Sequence, residues 1–351
     1  MSILRLFRPI FQPFTAFVSS IIFAIIIAFY GVILNWPQNE NPQPIKVNIT
    51  NGASLADISV ELASMNIISN ETVFVLAVKL LGYETGIPAG RFTLDRAKSN
   101  YDIIQQLKFG SPQLIKVTLL EGWTVEKSVS KLADELQVSK SRLLTLSNDG
   151  YYARKLGIQA ETLEGFLFPE TYYFFEGESP ENILSKIVGE YEKTIRDTVR
   201  RHMRELSMSE LEIITLASII EGEALYDSER PIISAVYHNR LKRGMKLQAD
   251  PTIQYIIDDS PRRLLNRDLK IESVYNTYLH YGLPPGPINN PGESSIIAAM
   301  YPADNDYLYF VARGDGYHNF SRTRKEHNQA KYQFQHVRRQ ARRTQKPKTG
   351  S

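Results

Sequence analysis

Residues 16–34 read AFVSSIIFAIIIAFYGVIL, nineteen consecutive positions without a charge and dominated by Ile, Phe, Ala and Val. As a helix rising ~1.5 Å per residue, the stretch spans about 28 Å, close to the hydrocarbon thickness of a bilayer. Tyr30 and Trp36 stand toward its far end, where an aromatic belt belongs. Arg5 and Arg8 precede it, and no Lys or Arg follows until Lys46. The positive-inside rule then puts residues 1–15 in the cytoplasm and everything beyond Trp36 outside. The run is longer than the apolar core of a cleaved signal peptide, and Gly31 to Pro37 offers no A-x-A site. An uncleaved single-pass anchor over 16–36 is therefore expected. Residues 37–46, rich in Pro, Asn and Gln, read as a linker off the membrane.

The 351-residue chain is 43% hydrophobic and 23% charged, an ordinary globular composition that excludes wholesale disorder. It contains no cysteine, which rules out a disulfide scaffold, a thiolate zinc site and a Cys nucleophile. The net charge of +3 is unevenly spread: 1–39 and 331–351 carry basic residues and no acid, so the middle is net negative. A nucleic-acid partner would have only the basic tail over 336–351 to rest on, and none is expected.

Beyond the linker two stretches match at a spacing of 70 residues. Val47-Asn-Ile-Thr-Asn-Gly52 is followed by Ser54 and Leu62-Ala63, and Val117-Thr-Leu-Leu-Glu-Gly122 by Thr124 and Leu132-Ala133. Each reads as a short strand, a Gly turn, a Ser/Thr N-cap and an amphipathic helix. A helix near 70–80, a strand near 91–95 and a helix near 100–108 lie between them. Strand, two helices and strand over 45–95 resemble a LysM-like βααβ module, a small sugar-binding unit, here placed over 47–110. Two generic α+β pieces packed together would give the same order.

The larger part, 111–335, is mixed α+β and richer in helix. Ser209 and Glu212 form a capping box that opens a helix running through Glu221 and Glu223. Pro231 opens another helix, and Asp250-Pro251 fits an N-cap and first helical position. Residues 307–312 alternate like a strand and end in the turn Gly314-Asp-Gly316. Thr323 and Glu326 form a second capping box that starts the last helix. The whole is an α+β protein behind a transmembrane helix.

No phosphate loop, dinucleotide fingerprint, H-E-x-x-H or G-x-S-x-G occurs, and the six His show no ligand spacing. No cofactor and no metal are expected. What remains is carboxylates and aromatics, the usual equipment for handling sugars. Glu221 shares a helix face with Ala217, Ile214 and Leu225. A carboxyl in such surroundings loses solvation when ionised, stays protonated near neutral pH and can give a proton to a leaving oxygen. An ordinary ion-paired Glu at a frayed helix end is the alternative. Glu164, Glu170, Thr171 and Tyr172, set among six aromatics over 163–175, either line a sugar groove or belong to a turn packed on the core. Four prolines, Pro284 among them, and three glycines over 282–292 make a rigid loop of the kind that shapes sites. From spacing alone, Asp250 reads as a helix cap rather than a catalyst.

The stretches LEGFLFPETY (163–172), LASIIEGEA (216–224), SAVYHNRLKRGMKLQADPTIQY (234–255), NTYLHYGLPPGPINNPG (276–292) and YLYFVARGDGYHNFSRT (307–323) closely resemble the YceG-like family of endolytic murein transglycosylases. The resemblance covers nearly the whole chain after the anchor, in the same order. It implies a single-pass protein of the bacterial inner membrane with a LysM-like unit ahead of an extracytoplasmic catalytic domain. The implied reaction cuts the β-1,4 bond between N-acetylmuramic acid and N-acetylglucosamine within a strand, without water, leaving a 1,6-anhydro end. The first Glu of the family's E-x-E motif falls on Glu221, the implied catalytic residue. Glu223, Glu164, Glu170, Gln248, Asp250, Asn276, Thr277 and Tyr278 match other motif positions and are implied to line the groove. The middle of the motif, often Lys in the family, is Gly222 here, which is expected to loosen the helix end. Glycan strands are the implied substrate, and peptidoglycan synthases the implied partners. A non-enzymatic, membrane-tethered wall-binding protein is the competing class, and a hydrolase is a third.

Overall fold

The computed structural model describes residues 8–35, 44–50, 52–95, 99–110, 114–175, 178–258 and 260–344. Arg5, Trp36, the linker positions 37–43 and the end of the basic tail lie outside them. The chain divides into two compact units, Met1–Ile115 with Tyr173–Glu178, and Lys116–Tyr172 with Ser179–Ser351.

In the first unit, helix α1 (Arg8–Leu34) contains the only described stretch long and apolar enough to cross a membrane, Ala16–Leu34. Over residues 16–32 the apolar side chains are bare, with Phe17 and Phe23 each 64% exposed. Such a surface is stable in lipid rather than in water. Only the last turn is covered: Ile33 is buried in the unit's core, and Asn100 Nδ2 donates to the Ile33 carbonyl at 3.0 Å.

Strand β1 (Pro44–Ile49), helices α2 (Leu55–Ser64) and α3 (Glu71–Leu80), strand β2 (Gly90–Asp95) and helix α4 (Asn100–Phe109) follow. β1 and β2 pair antiparallel, with Val47 opposite Phe92. The strand begins at Pro44, so the last three positions read as linker belong to it; Pro is tolerated there because the first strand residue need not donate. Ser54 is the expected cap, in a capping box with Asp57, and the Asn70 and Ser99 side chains cap the next two helices by accepting from the backbone at Val73 and Asp102. Leu62, Phe74, Leu94 and Leu107 meet in one fully buried cluster.

Strand β3 (Leu114–Thr118) pairs with β4 (Thr171–Phe175). Between them run α5 (Val125–Leu136), α6 (Lys140–Ser147) and α7 (Gly150–Lys155), and after them α8 (Pro180–Tyr191), a π-helical turn and α9 (Asp197–Leu206). Helix α10 (Glu210–Glu223) carries the Ser209–Glu212 capping box. Its residues 213–220 are all buried, because α9, α11 (Arg230–Lys242), α12 (Asp250–Ile256) and α13 (Glu293–Met300) all pack against it. A helix covered on every side is the central post of the unit. Strands β5 (Tyr309–Ala312) and β6 (His318–Ser321) form the expected hairpin, and Thr323 and Glu326 cap α14 (Arg324–Thr344) in both directions.

Candidate active site

The site is assembled around the exposed end of α10. The Pro/Gly loop reaches it through Ser218, whose hydroxyl accepts from Ile288 N at 3.0 Å and whose carbonyl accepts from Asn289 Nδ2 at 2.9 Å. Asn290 then fastens two more segments. Its Oδ1 accepts from Gly165 N and Leu167 N, both at 2.9 Å, and its Nδ2 donates to the Trp123 carbonyl at 2.8 Å. Its backbone carbonyl accepts from Gly122 N at 2.9 Å. One buried carboxamide thus holds the turn before α5, the 163–172 stretch and the Pro/Gly loop together. Gly122 sits in that turn at φ +73, a conformation that a side chain would strain.

These segments enclose a groove with a volume of about 1180 Å³. That is above the range typical of pockets for drug-sized ligands, and suits a polymer. Of the residues singled out in the sequence, Glu164, Glu223 and Asp250 line it, joined by Gly122, Gly222 and Tyr255. Glu223 accepts from the Tyr237 hydroxyl at 2.9 Å and from the backbone N–H of Asp250. Burial, followed by the charge of Asp250, pushes the Glu223 carboxyl up to about 7. Glu164 is deeper: its carboxyl accepts from Val125 N at 3.0 Å, and burial pushes it up to about 8.

Those two shifts set a pH dependence. The folded protein holds both protons more tightly than the unfolded chain, so folding is favoured in acid and loses support as pH rises toward 7 to 8. The slope is about 1.4 kcal/mol per pH unit for each group in its window. Urea melts from mild acid to mild alkali should show stability falling, and Glu164→Gln should flatten the fall. An equal slope in both proteins would show that Glu164 ionises in the folded state as readily as in water.

Glu221 stands differently from its sequence expectation. It is 8% exposed, but donors rather than Ile and Ala surround its carboxyl. Oε2 accepts from the Ser295 hydroxyl at 2.7 Å, Gly292 N at 3.1 Å and Arg230 Nη1 at 3.2 Å, and Oε1 from Arg230 Nη2 at 3.3 Å. The helical wheel missed this because both faces of α10 are covered and the partners come from α11 and α13. The carboxyl packs under Gly122, where a Cβ would lie 3.6 Å from Glu221 Cγ, and so occupies the wall behind the groove lining.

Two further expectations are corrected. Asp250 is not the cap of α12: Ala249 is, with no side-chain cap bond, and the Asp250 carboxylate accepts instead from the Tyr278 hydroxyl. Gly222 does not loosen the helix, which continues to Glu223. It lets α10 approach α12 so closely that a Cβ would fall 2.6 Å from Pro251 Cβ.

The other residues singled out lie around the groove rather than on it. Asn276 and Thr277 are buried and satisfied internally, Asn276 Nδ2 donating to the Ile271 carbonyl at 2.7 Å and Thr277 Oγ1 accepting from Ala249 N at 2.9 Å. Tyr172 is buried and donates to the Phe168 carbonyl, the Thr171 hydroxyl meets that of Thr118, and Pro284 is buried. Glu170 and Gln248 are exposed. Sequence reasoning missed Arg230, Ser295 and Asn290. Only Asn290 had a local signal, a pair of amides inside a Pro/Gly loop.

A model of the YceG-like family matches residues 47–333. An endolytic murein transglycosylase of Bacillus subtilis (strain 168) is 34% identical over 322 residues, covering 87% of this chain and 89% of that protein. One from Streptococcus pneumoniae serotype 2 is 26% identical over 305 residues, covering 76% of this chain and 54% of its own length. A crystal structure of a yceG-like protein from Listeria monocytogenes superposes with a TM-score of 0.56 at 32% identity, covering 82% of this chain and 99% of that one.

Proposed function

The chain belongs to the YceG-like family, and on that basis we propose that it is a peptidoglycan lytic transglycosylase cutting within glycan strands. The observation that carries the reading is the Glu221–Glu223 pair at the end of α10, one carboxyl on a polymer-sized groove and the other just behind its wall. Glu221 is the reacting carboxyl. It protonates the glycosidic oxygen between N-acetylmuramic acid and N-acetylglucosamine as the C1–O bond breaks, and the 2-acetamido group supports the oxocarbenium-like centre. The carboxylate left behind meets the Arg230, Ser295 and Gly292 donors, a ready-made set of partners for that charge. It then takes the proton of the C6 hydroxyl, whose oxygen closes onto C1 as the 1,6-anhydro ring. No water is consumed, and no second nucleophile is needed, unlike the paired-carboxylate hydrolases.

One observation favours a second reading: Glu223 lines the groove directly, and its carboxyl is pushed up to about 7, where a proton donor at neutral pH belongs. In that reading Glu223 reacts and Glu221 anchors the loops.

The bare apolar helix α1 serves as a single-pass anchor in the cytoplasmic membrane, with the chain from β1 onward outside the cytoplasm. The βααβ unit contributes wall binding as a LysM-like module, and glycan synthases are the fitting partners, since a cut near the membrane ends a growing strand. Digestion of purified sacculi, followed by mass spectrometry, tests the activity. The expected products carry 1,6-anhydro ends. Reducing ends would make the protein a hydrolase, and undigested sacculi would make it a wall-binding module.

A further inference from the structure

The turn that follows α10 carries an apolar patch that the groove does not use. Leu225, Tyr226 and Tyr317 are 67%, 37% and 36% exposed. The two tyrosine rings stack, with centroids 4.2 Å apart and planes 19° from parallel. Tyr226 belongs to the turn after α10, and Tyr317 follows the Gly314-Asp-Gly316 turn of the β5–β6 hairpin. Glu229 fastens the two segments: its Oε1 accepts from His318 N and its Oε2 meets His318 Nδ1, both at 2.9 Å. Gly316, at φ +91, lets the hairpin come close. A Cβ there would fall 2.7 Å from Leu225 Cδ2 and 2.8 Å from Tyr226 Cε2. The rings are therefore held in place before any ligand arrives.

We propose that Tyr226 and Tyr317, with Leu225 beside them, form a second glycan subsite, a platform on which a pyranose ring of the strand stacks beyond the cut. The inference rests on glycan strands being the substrate. A cut inside a strand needs sugar rings on both sides of the broken bond, so the strand must continue past the end of α10. On that side the groove lining stops at Glu223: none of residues 224–249 and none of the hairpin contributes to it. Tyr226 comes three residues after Glu223, so its backbone lies at most about 11 Å further on. Asp227, the next residue, pairs with Arg230, which in turn holds Glu221. The platform thus adjoins the two carboxyls.

Its chemistry suits a sugar. A pyranose offers C–H groups on its faces and hydroxyls around its rim, and a tyrosine offers a ring face and a phenol to match. The Tyr226 hydroxyl reaches only the Asp315 carbonyl, at 3.4 Å, a long bond that a sugar hydroxyl can replace. Arg313, paired with Asp315, brings its guanidinium to 5.9 Å from the Tyr317 ring centre, where it can donate to sugar oxygens. Three side chains are far too few for a protein interface, which takes about 20–30 residues a side.

Initial rates of strand cleavage, measured with the full chain in detergent on soluble peptide-free glycan strands, test this. Tyr226→Ala and Tyr317→Ala should each raise KM about tenfold. The loss should fall on KM rather than kcat, because the contact is remote from the broken bond. Tyr226→Phe and Tyr317→Phe keep the ring and should recover most of the affinity. Tyr226→Leu, which keeps an apolar contact for Leu225 without the ring face, should behave as Tyr226→Ala and covers the case in which the alanine variant fails to fold. A loss confined to kcat would overturn the platform and leave the tyrosines a support for the end of α10. KM can be read whichever ends the cut leaves. Reducing ends would therefore overturn the lyase reading and leave the platform standing, whereas anhydro ends with an unmoved KM would overturn the platform alone. Strands left uncut by the wild type would overturn both.

Discussion

Replacing Glu221 by Gln should lower the release of 1,6-anhydro ends by about 10²- to 10⁴-fold, the range that removing a positioned general acid–base produces. Gln keeps the shape and leaves one oxygen to accept from Gly292 N and Ser295, so the local frame should persist. Arg230 retains Asp227, whose Oδ1 accepts from its Nε at 2.8 Å. The melting transition should therefore fall by only a few degrees. Glu223→Gln is the necessary companion. It loses one groove-facing carboxyl but keeps the partner of Tyr237, so about a tenfold loss is expected. Should the two variants rank the other way, Glu223 is the proton carrier.

The largest effect on stability should come from Arg230→Met. This guanidinium is 7% exposed and opens α11, and it binds Glu221 on α10, Ser295 on α13 and Asp227 in the preceding turn. Its removal strands Glu221, itself 8% exposed, without a counter-charge. Breaking a buried pair from one side costs about 3–5 kcal/mol. For a domain of this size that is a fall in Tm of about 6–20 °C by calorimetry. Arg230→Lys should recover little, because an ammonium cannot reproduce the two-pronged contact with both Glu221 oxygens. The double variant Arg230→Met with Glu221→Gln should regain part of the loss, since neither charge is then left unpaired. A Tm within 2 °C of the wild type for Arg230→Met would mean that water, not Arg230, balances Glu221.

Much of the fold was legible because its signals are local. The Ser54 cap and the Ser209 and Thr323 boxes each involve residues three apart, and the 70-residue repeat placed both strand–turn–helix pieces. The Glu-Gly-Glu end of α10 and the groove-lining Glu164 were also found from sequence. The surroundings of Glu221 were not, because they depend on Arg230, Gly292 and Ser295, residues 9, 71 and 74 positions away. Periodicity reports that a face is buried without saying by what. Asp250 was misread for a related reason: the pattern Asp-Pro fits a cap, but Tyr278, 28 residues on, claims the carboxylate.

The join between α1 and the first unit has a mechanical consequence. Ile33 is embedded among the unit's own side chains, and its carbonyl is bolted to Asn100. A helix fixed in this way acts as a stalk without a swivel at its head. In a bilayer, any roll or tilt of the shaft would turn the small βααβ body with it, and that body would ride within about a helical turn of the lipid headgroups.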